Sequence, residues 1–384
     1  MGVTATTGGT RTPDPTADGG GQPVRRTTAA GSAGRPSFSA RAIAVIATAA
    51  VAFILLVEVF GAPPSTWGGE DNPGAWHPPH SRAELLVAKM DGHTFAEIAT
   101  DPTMRDTTHA YFGDEENAAY RSARPVQGWL DFVFSAGGRR VLLAPAILVL
   151  TALTAGAAVL STAALGDALG KRIRCLGAVM AMPAFVAAVA YPGICEPLAI
   201  ALALAGITAW LKDRPWLAVA LLSTAALTRE TMLLVPLGLG VAHLIRTRRP
   251  LGALKLGLPA VAYGAWVFVV HARIGAWPSD YSQMDGFLVG LGDGFPHWHP
   301  AEYLCAALLV ASAVVIARKG TDWMRTIAVL HIPVLAFANY QVWWVWLGFA
   351  RVGMLLPIFA LVALGTPLVT GTENRPELDA APSA

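Results

Sequence analysis

Charge is what this chain has least of. Only 14% of its 384 residues are Asp, Glu, Lys or Arg, and 54% are hydrophobic, with a mean hydropathy of +0.48. A soluble globular protein is nearer a quarter charged, so the composition points to a membrane protein. Cysteine is also sparse. Cys175, Cys195 and Cys305 stand singly, with no CxxC pair, which excludes a disulfide framework and a thiolate metal site. The phosphate-loop signature GxxxxGK[ST], the zinc-protease signature HExxH and the nucleophile elbow GxSxG are all missing. No basic stripe interleaved with aromatics marks a nucleic-acid surface, so nucleic acid is not an expected partner; membrane lipids are.

Long apolar runs are plentiful. A spanning helix takes roughly 20 mainly apolar residues, and candidates lie at 42–60, 141–165, 175–191, 195–211, 215–228, 231–246, 256–271, 302–317, 327–345 and 351–369. The fold class expected is therefore an all-α polytopic membrane protein of about ten spans. Residues 1–41 and 370–384 read as disordered tails, flanking a transmembrane domain over 42–369. Glycine and proline mostly interrupt Leu/Ala/Val runs, as they do in transmembrane helices.

Basic residues in short connections favour the cytoplasmic side. With the first tail inside, the even-numbered connections hold Lys171, Arg172, Arg174, Lys212, Arg214, Arg246, Arg248, Arg249, Lys255, Arg318, Lys319 and Arg325. The short odd-numbered ones hold Arg229, Arg273 and Arg351. That bias favours two cytoplasmic termini. It also leaves two long outer segments, 61–140 and 272–301. The first carries an amphipathic pattern at Ala83, Leu85, Leu86, Ala88, Met90, Phe95 and Ile98, which fits short helices lying in the membrane interface.

Ionisable groups at membrane depth are costly and tend to face a cavity or a partner. Asp91, in "KMDGHTF", has the chemistry of a general base, or else caps the helix that begins near Thr94. Glu196 opens a span beside Pro197, where the helix macrodipole alone would favour it. Arg229 and Glu230, in "ALTRETML", form either a turn in the headgroup zone or a paired site in which Arg clamps a phosphate through its planar fork. Arg351 follows Trp343, Trp344 and Trp346; it either snorkels from an aromatic belt or binds phosphate between aromatic walls. Asp293, His297 and His299, in "GDGFPHWHP", are too few and too local for a cation site, so an ordered loop is expected there and no metal.

These anchors resemble, in order and placement over roughly residues 85–360, the multi-spanning glycosyltransferases of the GT-C type, especially small bacterial mannosyltransferase-like and cell-surface-glycopolymer members. The matching stretches are Asp91–Ala99, Tyr120–Pro125, Cys195–Ala199, Leu227–Thr231 and Ala350–Pro357. The resemblance implies a bacterial plasma-membrane enzyme of GT-C-like architecture. Such an enzyme moves a sugar from a polyprenyl-phosphate donor to a cell-envelope glycan or lipid acceptor, with inversion and without a cofactor. By resemblance Asp91 is the base, Arg229 and Arg351 bind the donor phosphate with Arg121 and Arg124 behind them, and Glu196 and Glu230 orient the acceptor or pair with those arginines. His93 and Tyr120 are further candidates. The chain departs from many relatives in having Gly92 and His93 after Asp91 where they carry a paired acid. It also ends without the soluble C-terminal domain that some of them carry. A transporter or flippase, with polar groups near the midplane such as His331, and a non-catalytic envelope-assembly protein are the alternatives.

Overall fold

The computed structural model describes residues 38–61, 81–88, 91–105, 115–281, 284–344 and 346–368. The expected tails fall almost wholly outside them, as do Met90 and the stretches 62–80 and 106–114. All described residues belong to the unit Gly34–Ala384, and they are overwhelmingly helical.

Helix α1 (Phe38–Gly61) is apolar on nearly every side. The described residues between α1 and residue 135 form four short helices: α2 (Arg82–Val87), α3 (Gly92–Thr100), α4 (Glu115–Ser122) and α5 (Pro125–Phe134). Each start has a local cause. In α2, the Ser81 hydroxyl accepts from the Glu84 amide while the Glu84 carboxylate accepts from the Ser81 amide, satisfying two otherwise orphaned donors. In α5, Pro125 supplies a pre-set φ in the first turn. Helices α3 and α5 pack on one another, with Gly128 facing Ile98 so closely that an added Cβ would lie 2.4 Å from its Cγ2.

Helix α6 (Arg140–Ala168) is the longest and the organiser of the core, packing on α1, on α8 and on the short helices α2, α3 and α5. Gly156 lets α1 in: a Cβ there would sit 2.1 Å from Thr48 Oγ1. A 3-10 stretch at Leu176–Ala181 and α7 (Pro183–Ala190) follow, then α8 (Glu196–Leu211) and α9 (Pro215–Thr228). Arg229 leaves the helix in extended backbone, and a 3-10 turn at Glu230–Leu233 leads into α10 (Leu234–Thr247). Helix α11 (Pro250–Ile274) ends on Gly275 at φ 95°, the left-handed cap that glycine adopts without steric cost.

Past α11, α12 (Val289–Gly294) precedes the hairpin of α13 (Pro300–Lys319) and α14 (Asp322–Ala336). The last apolar region is broken into α15 (Tyr340–Trp344), α16 (Trp346–Val352) and α17 (Leu355–Ala363). An antiparallel pair, Lys171–Arg172 with Thr366–Pro367, fastens the end of α6 to the end of α17, and Lys171 Nζ adds a bond to the Ala363 carbonyl at 3.1 Å.

Among the described residues, four helices are able by length and composition to cross a membrane: Ser39–Gly61, Arg140–Ala168, Pro250–Ile274 and Pro300–Lys319. Taking α16 and α17 as one span bent by 59° makes five. The other expected spans are helical but short or interrupted. Helices α8 and α9 have 16 and 14 residues, 175–191 divides into a 3-10 stretch and α7, and 327–345 breaks between α14 and α15. Periodicity marks helices, but it does not register the breaks at Phe337–Asn339, between α14 and α15, or at Gly353, between α16 and α17.

Gly92 sets how α3 meets the rest. A Cβ there would lie 2.2 Å from the Val87 carbonyl oxygen and 2.6 Å from that of Pro192, and neither backbone yields cheaply. Gly92→Ala is expected to cost about 1–3 kcal/mol, as overpacking does. In detergent the variant should melt several degrees lower, whereas an unchanged melting temperature would mean that the 87–92 and 192 backbones are not in this contact.

Candidate functional site

Three carboxylates and four guanidinium groups meet where α3, α4, α8, the α9–α10 break and α16 converge. Asp91 occupies the position before α3, but its side chain caps nothing. One carboxylate oxygen accepts from Arg121 of α4 and the other from Arg351 of α16. Arg351 bonds Glu196 through Nε, and Arg229 Nη1 lies 2.9 Å from the same Glu196 oxygen. A second unit stands beside this relay: Arg124 grips Glu230 with both fork nitrogens, at 2.6 and 2.8 Å, the bidentate geometry that favours arginine over lysine.

The local sequence explains the placement. Arg121 and Arg124 are three apart at the α4–α5 junction, where Pro125 starts a new helix. Glu196 sits in the first turn of α8, yet its carboxylate goes to two arginines rather than to the helix amides. Arg229 and Glu230 are thrown into the site by the extended residue between α9 and the 3-10 turn. Arg351 is buried, 8% exposed, and so does not snorkel to a surface.

Charge bookkeeping fixes the character of the site. Four arginines less three carboxylates leave a net +1. Arg229 is 7% exposed, and its Nε and Nη1 have no aligned hydrogen-bond acceptor among the described residues. The 2.9 Å approach to Glu196 is thus an ion pair without a directed hydrogen bond. Burial pushes the Asp91 carboxyl up, but Arg351, Arg121 and Arg124 outweigh it and hold the group well below the usual carboxylate range.

The network forms one wall of a cavity of about 610 Å³, the size of a small-molecule site. Asp91, Arg121, Arg124, Arg229, Glu230 and Arg351 all line it. Val267, Val334, Ala338, Val342, Leu347 and Val352 give the same cavity an apolar lining beside the charges. Tyr120 lines it too, with the Arg124 guanidinium 4.2 Å from its ring centre, inside cation–π range, and Tyr281 5.1 Å away.

Of the sequence candidates, seven ionisable residues and Tyr120 come together. Glu196 sits behind the cavity wall, fully buried. His93 is buried beside Thr94, 3.5 Å from its hydroxyl, and does not line the cavity. The "GDGFPHWHP" stretch forms α12, a 3-10 turn and the start of α13, where Glu302 accepts from the His299 and Trp346 amides. Among the described residues no group of three His, Cys, Asp or Glu could hold a metal. Sequence reasoning missed Tyr263, Tyr281, Gln341 and Thr231, which also line the cavity; a tyrosine inside the apolar run of α11 was the available signal for the first. It also missed Asp131. This fully buried acid of α5 has one oxygen bonded to Gln127 at 3.1 Å, and burial pushes its carboxyl well above the usual range despite that bond.

Comparison with protein-family models, with curated proteins and with solved structures finds no match to this chain.

Glu97, one α-turn beyond His93, yields a test of this corner. Burial raises its carboxyl from 4.5 to about 7 against the pull of Arg140, and its Oε1 has no partner among the described residues. The folded chain therefore keeps a proton there that the unfolded chain releases, so stability falls as pH rises from about 4.5 to about 7 and then levels. Glu97→Gln removes that penalty. The variant should gain more stability at pH 8 than at pH 5, by about 2 kcal/mol, read from melting curves at both pH values; an equal gain at both would place Glu97 in water.

Proposed function

We propose that this chain is a GT-C-type glycosyltransferase with ten spans and both termini cytoplasmic, working in a bacterial plasma membrane. It moves a sugar from a polyprenyl-phosphate donor to a cell-envelope acceptor. The observation that carries this reading is the convergence of Asp91 and four arginines on one cavity that also has an extensive apolar lining. An anionic leaving group suits the arginines, a hydrocarbon carrier suits the apolar lining, and an acceptor hydroxyl needs the carboxylate.

In the reaction, the acceptor oxygen attacks the anomeric carbon while Asp91 takes its proton. The bond from that carbon to the phosphate oxygen breaks, and the polyprenyl phosphate leaves with the electron pair. Arg229 and Arg351 neutralise the charge that develops, so the leaving group needs no proton. Glu196 and Glu230 hold Arg351, Arg229 and Arg124 in place rather than touching substrate. Asp91 gives both oxygens to guanidinium groups and is a poor base while it does. A phosphate that draws Arg121 and Arg351 to itself releases the carboxylate and raises its pKa. The base is then armed by donor binding.

One observation favours a transporter: two of the arginines stand at helix breaks, Arg229 after α9 and Arg351 within the bent α16–α17 pair, and broken helices frame transporter sites. Membranes containing the wild-type chain, incubated with radiolabelled polyprenyl-phosphate sugars, separate the two. Transfer by wild type, reduced about 10²-fold or more by Asp91→Asn at equal expression, is the expected result. Uptake of the same donor into vesicles without transfer would favour the transporter, and transfer undiminished in Asp91→Asn would remove the base.

A further inference from the structure

A second cavity, of about 540 Å³, lies between α13, α14 and the α15–α17 region. It shares no lining residue with the ionic cavity. From Ala306, Trp343 and Phe349 at one end it runs to Ala317 and Arg325 at the other, and between them its walls are almost wholly apolar. The lining residues Val310, Val329 and Ile332 are 65%, 60% and 62% exposed, so the groove opens outward along the α13–α14 hairpin rather than into the core.

Length and charge identify what fits it. From Ala306 to Ala317 the helix rises eleven residue steps, about 16 Å at about 1.5 Å per residue, close to half of a hydrocarbon core of about 30 Å. The groove therefore matches one leaflet, not the full thickness. At its Arg325 end, the last turn of α13 presents Arg318 and Lys319, both exposed. Arg325 Nε bonds the Ala317 carbonyl and Nη1 bonds Asp322, each at 3.1 Å, which orients the guanidinium at the mouth; Nη2 makes neither bond. Three cations against Asp322 leave that mouth at +2.

We propose that this groove is a binding site for an anionic phospholipid of the surrounding bilayer. One acyl chain lies between α13 and α14 and the phosphate headgroup sits on Arg325, Arg318 and Lys319. Basic residues at the membrane surface attract anionic headgroups, and exposed apolar side chains at this depth require hydrocarbon. The site is independent of the glycosyltransferase reading, because the two cavities have no lining residue in common.

The full chain, purified in detergent and stripped of endogenous lipid, is offered dioleoyl phosphatidylglycerol or dioleoyl phosphatidylcholine, and retained lipid is counted by native mass spectrometry. Retention of phosphatidylglycerol about tenfold above phosphatidylcholine is expected. Combined replacement of Arg318, Lys319 and Arg325 by alanine should abolish that preference; all three are exposed, so folding should survive. Ala313→Trp, which fills the groove from an exposed lining position, should reduce retention of both lipids. Glycerol phosphate alone should not bind, since the chain supplies the anchoring. Equal retention of the two lipids, a preference that survives the triple replacement, or unchanged retention by Ala313→Trp would overturn the proposal.

Discussion

A run of guanidinium–carboxylate contacts, Arg121 to Asp91 to Arg351 to Glu196 to Arg229, holds together elements that have little else in common. It joins the start of α3, the short helix α4, the start of α8, the break after α9 and the bent final region. Charges out of water are expensive, and their mutual attraction compensates only when every member is in place. Removing one partner of a buried pair typically costs about 3–5 kcal/mol, because the other is left uncompensated. The network is therefore a constraint on five segments at once, and the cavity exists because its charged wall cannot close on itself. With a net +1 remaining, the wall favours an anion.

Two kinds of packing support this. On the α6 side, small residues bring helices close, with Gly156 against α1 and Gly206 against Leu222 of α9. On the opposite side large aromatics do the work. Trp298, Trp343 and Phe349 stack within 5.1–6.1 Å of one another, and Trp298 Nε1 donates to the Trp343 carbonyl at 2.7 Å. The direction of the Arg351 guanidinium itself is set by its bonds to Glu196 and Asp91.

What could be read from the sequence was the presence of helices and the identity of the costly charges. Asp91, Glu196, Arg229, Glu230 and Arg351 were conspicuous because each interrupts or borders an apolar run, and the structure gathers all five with Arg121 and Arg124. Their pairing was not legible. Asp91 had an equally good local explanation as a helix cap, and only the 260-residue contact with Arg351 decides against it. Some breaks were not legible either: 175–191, 327–345 and 351–369 each read as one run and divide in the structure, since an average of hydropathy passes smoothly over a backbone break. Tyr263 escaped because it is a single polar group in an apolar stretch, whereas Asp131 had its bonded partner, Gln127, one turn earlier in α5 and was passed over as part of a loop.

The Asp91–Arg351 bond has a consequence for biosynthesis. Translation proceeds at about 5–20 residues per second, so Asp91 emerges roughly 10–50 s before its partner. During that interval Arg121 and Arg124 already stand nearby in sequence, whereas Glu196 and Arg229 appear midway. An acid destined for a buried site thus spends its first seconds with only local cations for company. The antiparallel pair between Lys171–Arg172 and Thr366–Pro367 is equally late. The Asp91 end of the charged core is therefore made well before the Arg351 that completes it.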